Sequence, residues 1–324
     1  MIGFISRRVL QLIEVLFVVS IVGFTIVRLI PGDQARVILG DNFTQESYDQ
    51  LRAALGLDKS LAEGYVSWIS GVLRGDFGYS FSLHHDVLPI VLQYLVPTLW
   101  LALFSAFLAL AVAIPLGIAA GQRQGGPADV TLNVLAMAGV SVPGFIISLL
   151  LVRIFAVELK ILPVAGFVSP ADDLLEAVSH LLLPAVALAV VQIAGIGRVT
   201  RAAVVDVASS DFVRTARSKG AGPARVTLVH VLRAVGIPIL TVVAQSFGSL
   251  VGGAAVIETI FSIPGVGQLM LSSIQHRDIP VIQGTILVVA TIYVVLYALV
   301  DIGYSAIDPR IRITGQQSKK ARNQ

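Results

Sequence analysis

Residues 211–233 read DFVRTARSKGAGPARVTLVHVLR and form a basic, polar segment between two long apolar runs. The pattern predicts a helix, a turn and a second helix. Ser210 or Asp211 suits the N-terminal cap of the first helix, and Gly220 suits the left-handed residue that ends it. Pro223 fits the first turn of the second helix, where a backbone N–H has no helical partner. We therefore predict two short helices joined at an exposed corner.

This corner is strongly basic. The stretch from Arg198 to Arg233 holds seven Lys/Arg against two Asp. Lys219 lies in the predicted last turn of the first helix, where the helix dipole favours a cation. Such a surface is typical of a docking site for a partner protein. An ordinary basic loop beside a membrane has the same composition, and composition alone leaves both interpretations open.

The overall composition excludes a soluble globular domain. Of 324 residues, 56% are hydrophobic and 13% are charged, and the mean hydropathy is +0.85. These values are typical of an integral membrane protein. The net charge of +3 does not indicate nucleic-acid binding, because the basic residues are sorted by predicted membrane side. The chain has no cysteine, which excludes disulfides and cysteine-based metal sites.

Six apolar runs predict an all-α integral membrane fold with six transmembrane helices. The first run has 22 residues. As a helix it is about 33 Å long, enough to cross a hydrocarbon core of about 30 Å. The runs are Val9–Ile30, Pro97–Gly121, Val130–Val157, Leu181–Gly197, Val235–Ile257 and Val281–Ile302. An even number of spans places both termini on one side. Within the third run, Pro143-Gly144 predicts a kink.

The long polar segment Pro31–Val96 separates the first two runs. Its scattered apolar residues predict short amphipathic helices in a small external subdomain. His84, His85 and Asp86 are candidate metal ligands. Three adjacent side chains point in different directions, and we therefore predict a solvated loop and no metal site.

The distribution of charge predicts the orientation. With the N-terminus inside, the inside segments hold 15 Lys/Arg and the outside segments hold six. The positive-inside rule then places both termini and the loop 198–234 in the cytoplasm. In chain order, the predicted parts are the cytoplasmic N-terminus and first span, 1–30; the external helical subdomain, 31–96; the five-helix core with the loop 198–234, 97–305; and the cytoplasmic tail, 306–324.

The chain contains no recognisable catalytic motif. G-x-x-x-x-G-K-[ST], H-E-x-x-H and G-x-S-x-G are all absent from the sequence. Glu14, Glu258 and Asp301 lie at the ends of apolar runs, whereas ion-coupled carriers commonly hold a carboxylate deep in the bundle. We expect no catalytic residue and no cofactor in this chain. Energy for any transport must then come from a partner at the basic corner.

Polar residues within or beside the apolar runs are candidates for lining a translocation path. They are Ser141, Gln192, Gln245, Ser246 and Ser249. Interhelical hydrogen bonds, worth about 0.6 kcal/mol each, explain such side chains equally well. The spacings Gly117-xxx-Gly121 and Gly248-xxx-Gly252 predict close helix packing.

A family resemblance begins in the basic corner. Arg214-Thr215-Ala216, three further residues and Gly220 resemble the loop signature of ABC importer permeases, in which Glu-Ala-Ala is followed after three residues by Gly. Arg214 and Thr215 depart from it as the dipeptide and oligopeptide branch does, where D-[FY]-V-R-T-A-R-x-K-G and then H-x-L-R are usual. Other stretches similar to that branch are Leu55–Asp58, Gly75–Ser80, Val140–Phe145, Leu162–Phe167, Glu258–Gly267, Arg277–Pro280 and Ile307–Arg312. Together they cover nearly the whole chain and resemble the first of two permease subunits.

The resemblance implies a type I ABC importer permease and a set of functional residues. The helix implied to sit in a groove of a cytoplasmic ATPase comprises Asp211, Arg214, Thr215, Ala216, Arg217, Lys219 and Gly220, with Leu232 beyond it. The implied external contact or gate for a binding protein comprises Glu258, Pro264, Gly265, Arg277 and Asp278. The sequence at residues 262–265 is equally compatible with a simple turn.

The implied partners are a second homologous permease, two ATPase domains that hold ATP and Mg, an external substrate-binding protein and membrane lipid. The implied location is a bacterial or archaeal plasma membrane. Peptides are the expected cargo, with a nickel chelate, glutathione or haem as alternatives, because specificity in this class resides largely in the delivering protein. An autonomous channel or ion-coupled carrier, and a membrane-bound enzyme, are the competing classes.

Overall fold

The computed structural model describes residues 2–29, 34–39, 44–54, 56, 58–222 and 225–307, and these residues are mostly helical. The helices are α1 Ile2–Leu29, α2 Gln34–Leu39, α3 Gln45–Ala54, α4 Leu61–Val72, α5 Val87–Gln122, α6 Pro127–Ser141, α7 Gly144–Leu151, α8 Leu174–Ala208, α9 Asp211–Ser218, α10 Leu232–Ile260, α11 Val266–Gln275 and α12 Ile279–Ile307. The strands β1 Tyr79–Ser80 and β2 His85–Asp86 form an antiparallel hairpin. Two π-helical segments, Val152–Glu158 and Val226–Val231, follow α7 and precede α10.

The described helices contain four candidate membrane spans, or six when each of two bent pairs counts as one span. The four are Leu10–Leu29, Val87–Gln122, Leu174–Ala208 and Ile279–Val300. The bent pairs are Pro127–Gly139 with Gly144–Glu158, at 103°, and Val235–Gly248 with Gly252–Ile260, at 54°. The first bend confirms the kink predicted at Pro143-Gly144.

The chain divides into two compact units, and the first comprises residues 1–98 with 264–295. Three short helices and the hairpin follow α1 in this unit, in agreement with the predicted helical insertion. A capping box starts α4, because Ser60 accepts from the Glu63 N–H while the Glu63 carboxylate accepts from the Ser60 N–H. The Phe24 ring of α1 lies 5.6 Å from the rings of both Tyr65 and Trp68.

The structure at residues 84–86 differs in detail from the solvated loop predicted there. His85 and Asp86 form strand β2, and His84 precedes it in a turn with φ of +57°. All three residues are exposed, and they form no group of metal ligands. The short hairpin arises because Tyr79 pairs with Asp86 and Ser80 with His85, a tertiary pairing that local turn signals do not reveal.

The second unit comprises residues 99–263 with 296–324 and is built around α8. The Asp173 carboxylate accepts from the Glu176 N–H at 2.9 Å and so caps this helix. Its residues Leu181, Leu183 and Leu188 join one buried core with residues of neighbouring segments, among them Leu101, Leu250, Ile257 and Phe261. The run predicted as Leu181–Gly197 is therefore only the apolar middle of a helix of 35 residues.

Candidate functional site

The basic corner begins with α9, which follows α8 after two residues. The Ala221 N–H donates to the Ala216 carbonyl at 3.1 Å, a bond typical of a Schellman helix end. Gly220 lies within this turn with φ of +80°, and no heavy atom lies within 4 Å of the position that a Cβ would take. The predicted helix and its glycine turn are thus confirmed. Backbone conformation, and not crowding, requires the glycine.

Ser210 occupies the predicted N-cap position, since its carbonyl accepts from the Arg214 N–H at 3.1 Å, whereas the use of its hydroxyl and the second predicted helix differ from expectation. The Ser210 hydroxyl donates to the Val207 carbonyl of α8 at 2.5 Å, and Asp211 is the first helical residue. Pro223 lies outside the described residues. Beyond it the chain forms the π-helical segment Val226–Val231, which continues directly into α10. A π-helical turn has no periodic sequence signal of its own.

One face of α9 is anchored in a buried apolar cluster. Val213 has no exposed surface, and Ala216 packs against the same cluster. The buried members of the cluster are Val204, Val213, Val226, Val231, Val235 and Ile239. Because α8, α9, the π-helical segment and α10 all contribute, α9 is held against the ends of two long helices.

The opposite face of α9 is polar and exposed. Arg214 Nη1 lies 3.8 Å from Asp211 Oδ1, and the two side chains are 76% and 98% exposed. Such a loose surface pair contributes little to stability. Thr215 and Lys219 are exposed on the same corner. Leu232 is half-buried at the start of α10, and the side chain of Arg217 lies outside the described part.

A buried carboxylate ties the base of α6 to α8. Arg201 Nε and Nη2 donate to the two Asp129 carboxylate oxygens at 2.6 and 2.9 Å, a bidentate pair. The Gly125 N–H and the Asn133 amide also donate to Asp129, at 2.8 and 3.2 Å. The Asp129 side chain is only 6% exposed. The pair therefore fixes the loop between α5 and α6 to the part of α8 that leads into α9.

Helix α5 also approaches α8 closely. A Cβ at Gly117 would lie 2.8 Å from the Gly197 carbonyl oxygen, and a Cβ at Gly121 would lie 2.7 Å from the Val204 Cβ. The close packing predicted for Gly117-xxx-Gly121 is confirmed. Gly252 has no heavy atom within 4 Å of an added Cβ. The second spacing instead coincides with the bend in α10, so its prediction of close packing is wrong at Gly252.

The candidate path-lining residues lie on three helices of the second unit. Ser141 is exposed at the end of α6. Gln192 is 8% exposed in α8, near the buried cluster of Ala189 and Ile196. On α10, Gln245 is exposed and Ser246 is half-buried. The side chain of Ser249 lies outside the described part.

The candidate external residues combine buried and exposed groups. Glu258 has no exposed surface, and its carbonyl accepts from the Ile263 N–H at 2.8 Å. Pro264 is exposed, whereas Gly265 is buried at the start of α11.

Asp278 is buried at 3% exposure, and its carboxylate accepts from the Ser80 hydroxyl at 2.5 Å. The preceding residue, Arg277, is half-buried and has φ of +54°. Asp278 thus holds the β1–β2 hairpin to the start of α12. Among the described residues, no group of three or more His, Cys, Asp or Glu side chains is placed to hold a metal ion.

Two family models match the chain. Residues 113–313 match the binding-protein-dependent transport system inner membrane component, and residues 1–102 match the N-terminal part of such membrane components. The chain belongs to this permease family. The matched regions together cover most of the sequence, in agreement with the resemblance found in its motifs.

Curated relatives extend over nearly the full chain. A probable peptide ABC transporter permease of Sinorhizobium fredii is 40% identical over 95% of this chain and 99% of its own. A dipeptide transport system permease of Alkalihalophilus pseudofirmus is 37% identical over 96% of this chain and 100% of its own. The glutathione transport system permease of Escherichia coli is 37% identical over 96% of this chain and 99% of its own.

A solved structure supports the fold. An inward-facing MetNI methionine ABC transporter aligns with a TM-score of 0.54 at 16% identity, over 68% of this chain and 96% of that chain. The permease therefore has the type I ABC importer permease fold and is a multi-pass membrane protein. Permeases of this family are not catalytic; ATP hydrolysis lies in separate subunits, and a binding protein takes part in transport.

The Asp129–Arg201 pair was missed by sequence reasoning. Asp129 lies in the first turn of α6 and Arg201 lies 72 residues later in α8. An acidic residue in a first helical turn is already explained by the helix dipole. No local pattern joins it to a distant arginine, and only the packing of α6 against α8 reveals the contact.

Proposed function

We propose that this permease forms the membrane passage of an ABC importer for di- or oligopeptides. The observation that carries the proposal is 37–40% identity, over 95–96% of the chain, to permeases named for peptides and dipeptides. The passage is shared with a second homologous permease. Two cytoplasmic ATPase domains bind ATP and Mg, and an external binding protein delivers the cargo.

The proposed location is the plasma membrane of a bacterium or archaeon. Both termini and the loop 198–234 face the cytoplasm. The excess of Lys/Arg in the segments assigned to that side, 15 against six, supports this orientation. The insertion between α1 and α5 then faces the exterior.

The proposed ATPase contact is the exposed face of α9 with its glycine turn. Asp211, Arg214, Thr215 and Lys219 offer charged and polar groups to a groove of the ATPase. Val213 and the apolar cluster behind it resist local bending, since they pack α9 against two long helices. Movement of the ATPase is therefore passed to those helices. Arg217, Gly220, Ala216 and Leu232 complete the proposed segment.

The proposed route uses polar side chains of three helices, and the proposed external contact lies near the start of α11. The route residues are Ser141, Gln192, Gln245, Ser246 and Ser249. At the external contact, Pro264 and Arg277 present the surface to the binding protein, and the buried Gly265 starts the helix behind Pro264. Asp278 is buried in the first unit next to Arg277, and Glu258 is buried in the second unit.

Glutathione is the second candidate cargo, because the Escherichia coli glutathione permease shares 37% identity over 96% of this chain. The two cargoes are separated by reconstituting the complete importer with its binding protein in lipid vesicles. We expect ATP-dependent uptake of labelled di- or oligopeptides and weaker uptake of labelled glutathione. Preference for glutathione would select the second candidate. Uptake by the purified chain alone, without an ATPase, would contradict the importer mechanism.

The proposed orientation is tested with single introduced thiols, since the chain has no cysteine. Ser218→Cys lies at the exposed end of α9, and Leu73→Cys replaces a residue that is 82% exposed in the insertion. In intact cells an impermeant reagent should label Leu73→Cys and spare Ser218→Cys. The reverse result would overturn the orientation.

A further inference from the structure

A cavity of about 330 Å³ lies in the first unit, where the insertion meets the end of α1 and the start of α12. Its volume is at the lower end of the range for small-molecule sites, about 300–1,000 Å³. Its lining includes Arg28, Lys59, Trp68, Asp76, Pro280 and Gln283. None of these residues belongs to the proposed ATPase contact or to the proposed route.

The Arg28 guanidinium enters this cavity without a carboxylate partner. Its Nη2 donates to the Gly56 carbonyl at 2.6 Å and its Nη1 to the Lys59 carbonyl at 3.4 Å. Its Cζ lies 5.2 Å from the centre of the Phe24 ring. Within the described ranges Arg28 forms no ion pair, and two carbonyls and an aromatic face do not neutralise its charge.

The local fold is shaped around this guanidinium. A Cβ at Gly64 would lie 3.1 Å from Arg28 Nη2 and 3.2 Å from its Cζ. Gly64 lies in the first turn of α4 and does not have a positive φ. A Cβ there would displace the guanidinium by a few tenths of an ångström, so the glycine allows the close approach of the cation.

Further donors line the same cavity. Lys59 Nζ donates to the Ser67 hydroxyl at 3.0 Å and, in the described part of the chain, forms no ion pair within 4 Å, although its charge acts on the Glu63 carboxylate from farther away. The Trp68 indole N–H is buried and, among the described groups, has no acceptor. The lining carboxylate of Asp76 already accepts from the Gly78 N–H at 2.9 Å. The lining thus holds two cations against one carboxylate, together with an indole N–H that has no acceptor among the described groups. This net positive set suits an anion rich in acceptor oxygens.

The position of the cavity indicates where such an anion comes from. Arg28 lies in the last turn of the span Leu10–Leu29, at the depth of lipid headgroups. Beside it, Ile26 and Leu29 are 57% and 68% exposed, which provides an apolar surface for acyl chains. Aromatic side chains such as Trp68 are typical of this membrane depth.

We propose that the cavity binds the phosphodiester headgroup of an anionic phospholipid. Arg28 supplies paired donors to the phosphate oxygens, and Lys59 and the Trp68 N–H supply further donors. The acyl chains lie along the exposed apolar face of α1. The bound lipid fastens the insertion to the first span. This inference does not depend on the cargo or on the ATPase contact.

The test uses the full-length permease in nanodiscs of phosphatidylcholine, with and without phosphatidylglycerol. Native mass spectrometry after mild delipidation measures retained lipid, and thermal unfolding measures stability. Wild type should retain phosphatidylglycerol, and its Tm should rise when that lipid is present. Arg28→Gln should lower the retained phosphatidylglycerol about tenfold or more, because charge-assisted hydrogen bonds are lost.

Arg153→Gln is the matched control, since Arg153 also lies in a candidate span but is exposed and pairs with Glu158 at 3.0 Å. It should retain lipid as wild type does. Trp68→Phe and Lys59→Gln are milder changes, and each should also reduce the retention of phosphatidylglycerol. They provide the test if Arg28→Gln fails to fold. Equal retention by these variants and the control would overturn the proposal. Stabilisation by inorganic phosphate in pure phosphatidylcholine, to the same extent, would assign the cavity to a soluble anion and overturn the lipid assignment.

Discussion

Replacement of Gly220 tests whether the turn after α9 matters for transport. Gly220 has φ of +80°, and an added Cβ would meet no heavy atom within 4 Å. The cost of Gly220→Ala is therefore almost entirely the backbone penalty of the left-handed region, about 1–2 kcal/mol. That penalty lowers the population of the native turn by a factor of about 5–30 relative to alternatives. Gly220→Val should be worse, since a β-branched residue tolerates this region poorly, and Gly220→Asn should be milder.

The assay compares ATP hydrolysis with peptide uptake by the reconstituted importer. We expect the uptake per ATP hydrolysed to fall in the order wild type, Asn, Ala, Val, while the permease still inserts into the membrane. Gly222→Ala is the matched control, because Gly222 is exposed, has no positive φ and also has open space at the Cβ position. Normal coupling in Gly220→Val, or equal loss in Gly222→Ala, would refute the reasoning.

Three further changes test other parts of the molecule. Gly121→Ala should lower the Tm by more than Gly252→Ala, because its Cβ would lie 2.7 Å from a side-chain carbon of α8 whereas position 252 is open. Overpacking of this kind typically costs about 1–3 kcal/mol. Equal Tm values for the two variants would contradict the close packing of α5 against α8. Arg201→Gln should lower the Tm because it leaves the Asp129 carboxylate without its bidentate partner. Adding Asp129→Asn to this variant should recover part of the lost stability. Strictly additive effects in this double-mutant cycle would show that the two side chains are not coupled. The capping hydrogen bonds at the start of α4 hold the pKa of Glu63 below its usual value. The ionised Glu63 carboxylate therefore stabilises α4 above the unfolded pKa, and this contribution is lost as the pH falls through the folded pKa. Amide exchange in α4, followed from about pH 7 to about pH 3, should show this pH dependence in the wild type. The dependence should be absent in Glu63→Gln.

Local chemistry was enough to predict several elements. The basic corner was recognised because Gly220 and the preceding helix follow standard end rules, and the structure has both. The break at Pro143-Gly144 was predicted because proline disrupts the helical hydrogen bonds. The small residues Gly117 and Gly121 were recognised by their spacing, and both lie against α8.

Contacts between distant residues were not predictable in the same way. The length of α8 was underestimated because hydropathy marks only the apolar middle of a helix, while Asp173 caps it well before that run. Glu258 and Asp278 were expected at an external contact, yet both side chains are buried. Polarity in a sequence does not distinguish an exposed carboxylate from one that holds a hairpin in place, as Asp278 does through Ser80.

The length of α8 has a mechanical consequence. It runs from Leu174 to Ala208, about 50 Å at 1.5 Å per residue, well beyond the hydrocarbon core of about 30 Å. Helix α6 lies close against it at Gly197, where an added Cβ would lie 2.4 Å from a Leu132 methyl carbon. From Gly197 the helix extends about 35 Å towards Leu174 and about 17 Å towards Ala208, since each residue adds 1.5 Å. If α8 turned about that contact as a rigid body, a displacement of about 2 Å beside α9 would become about 4 Å at the far end.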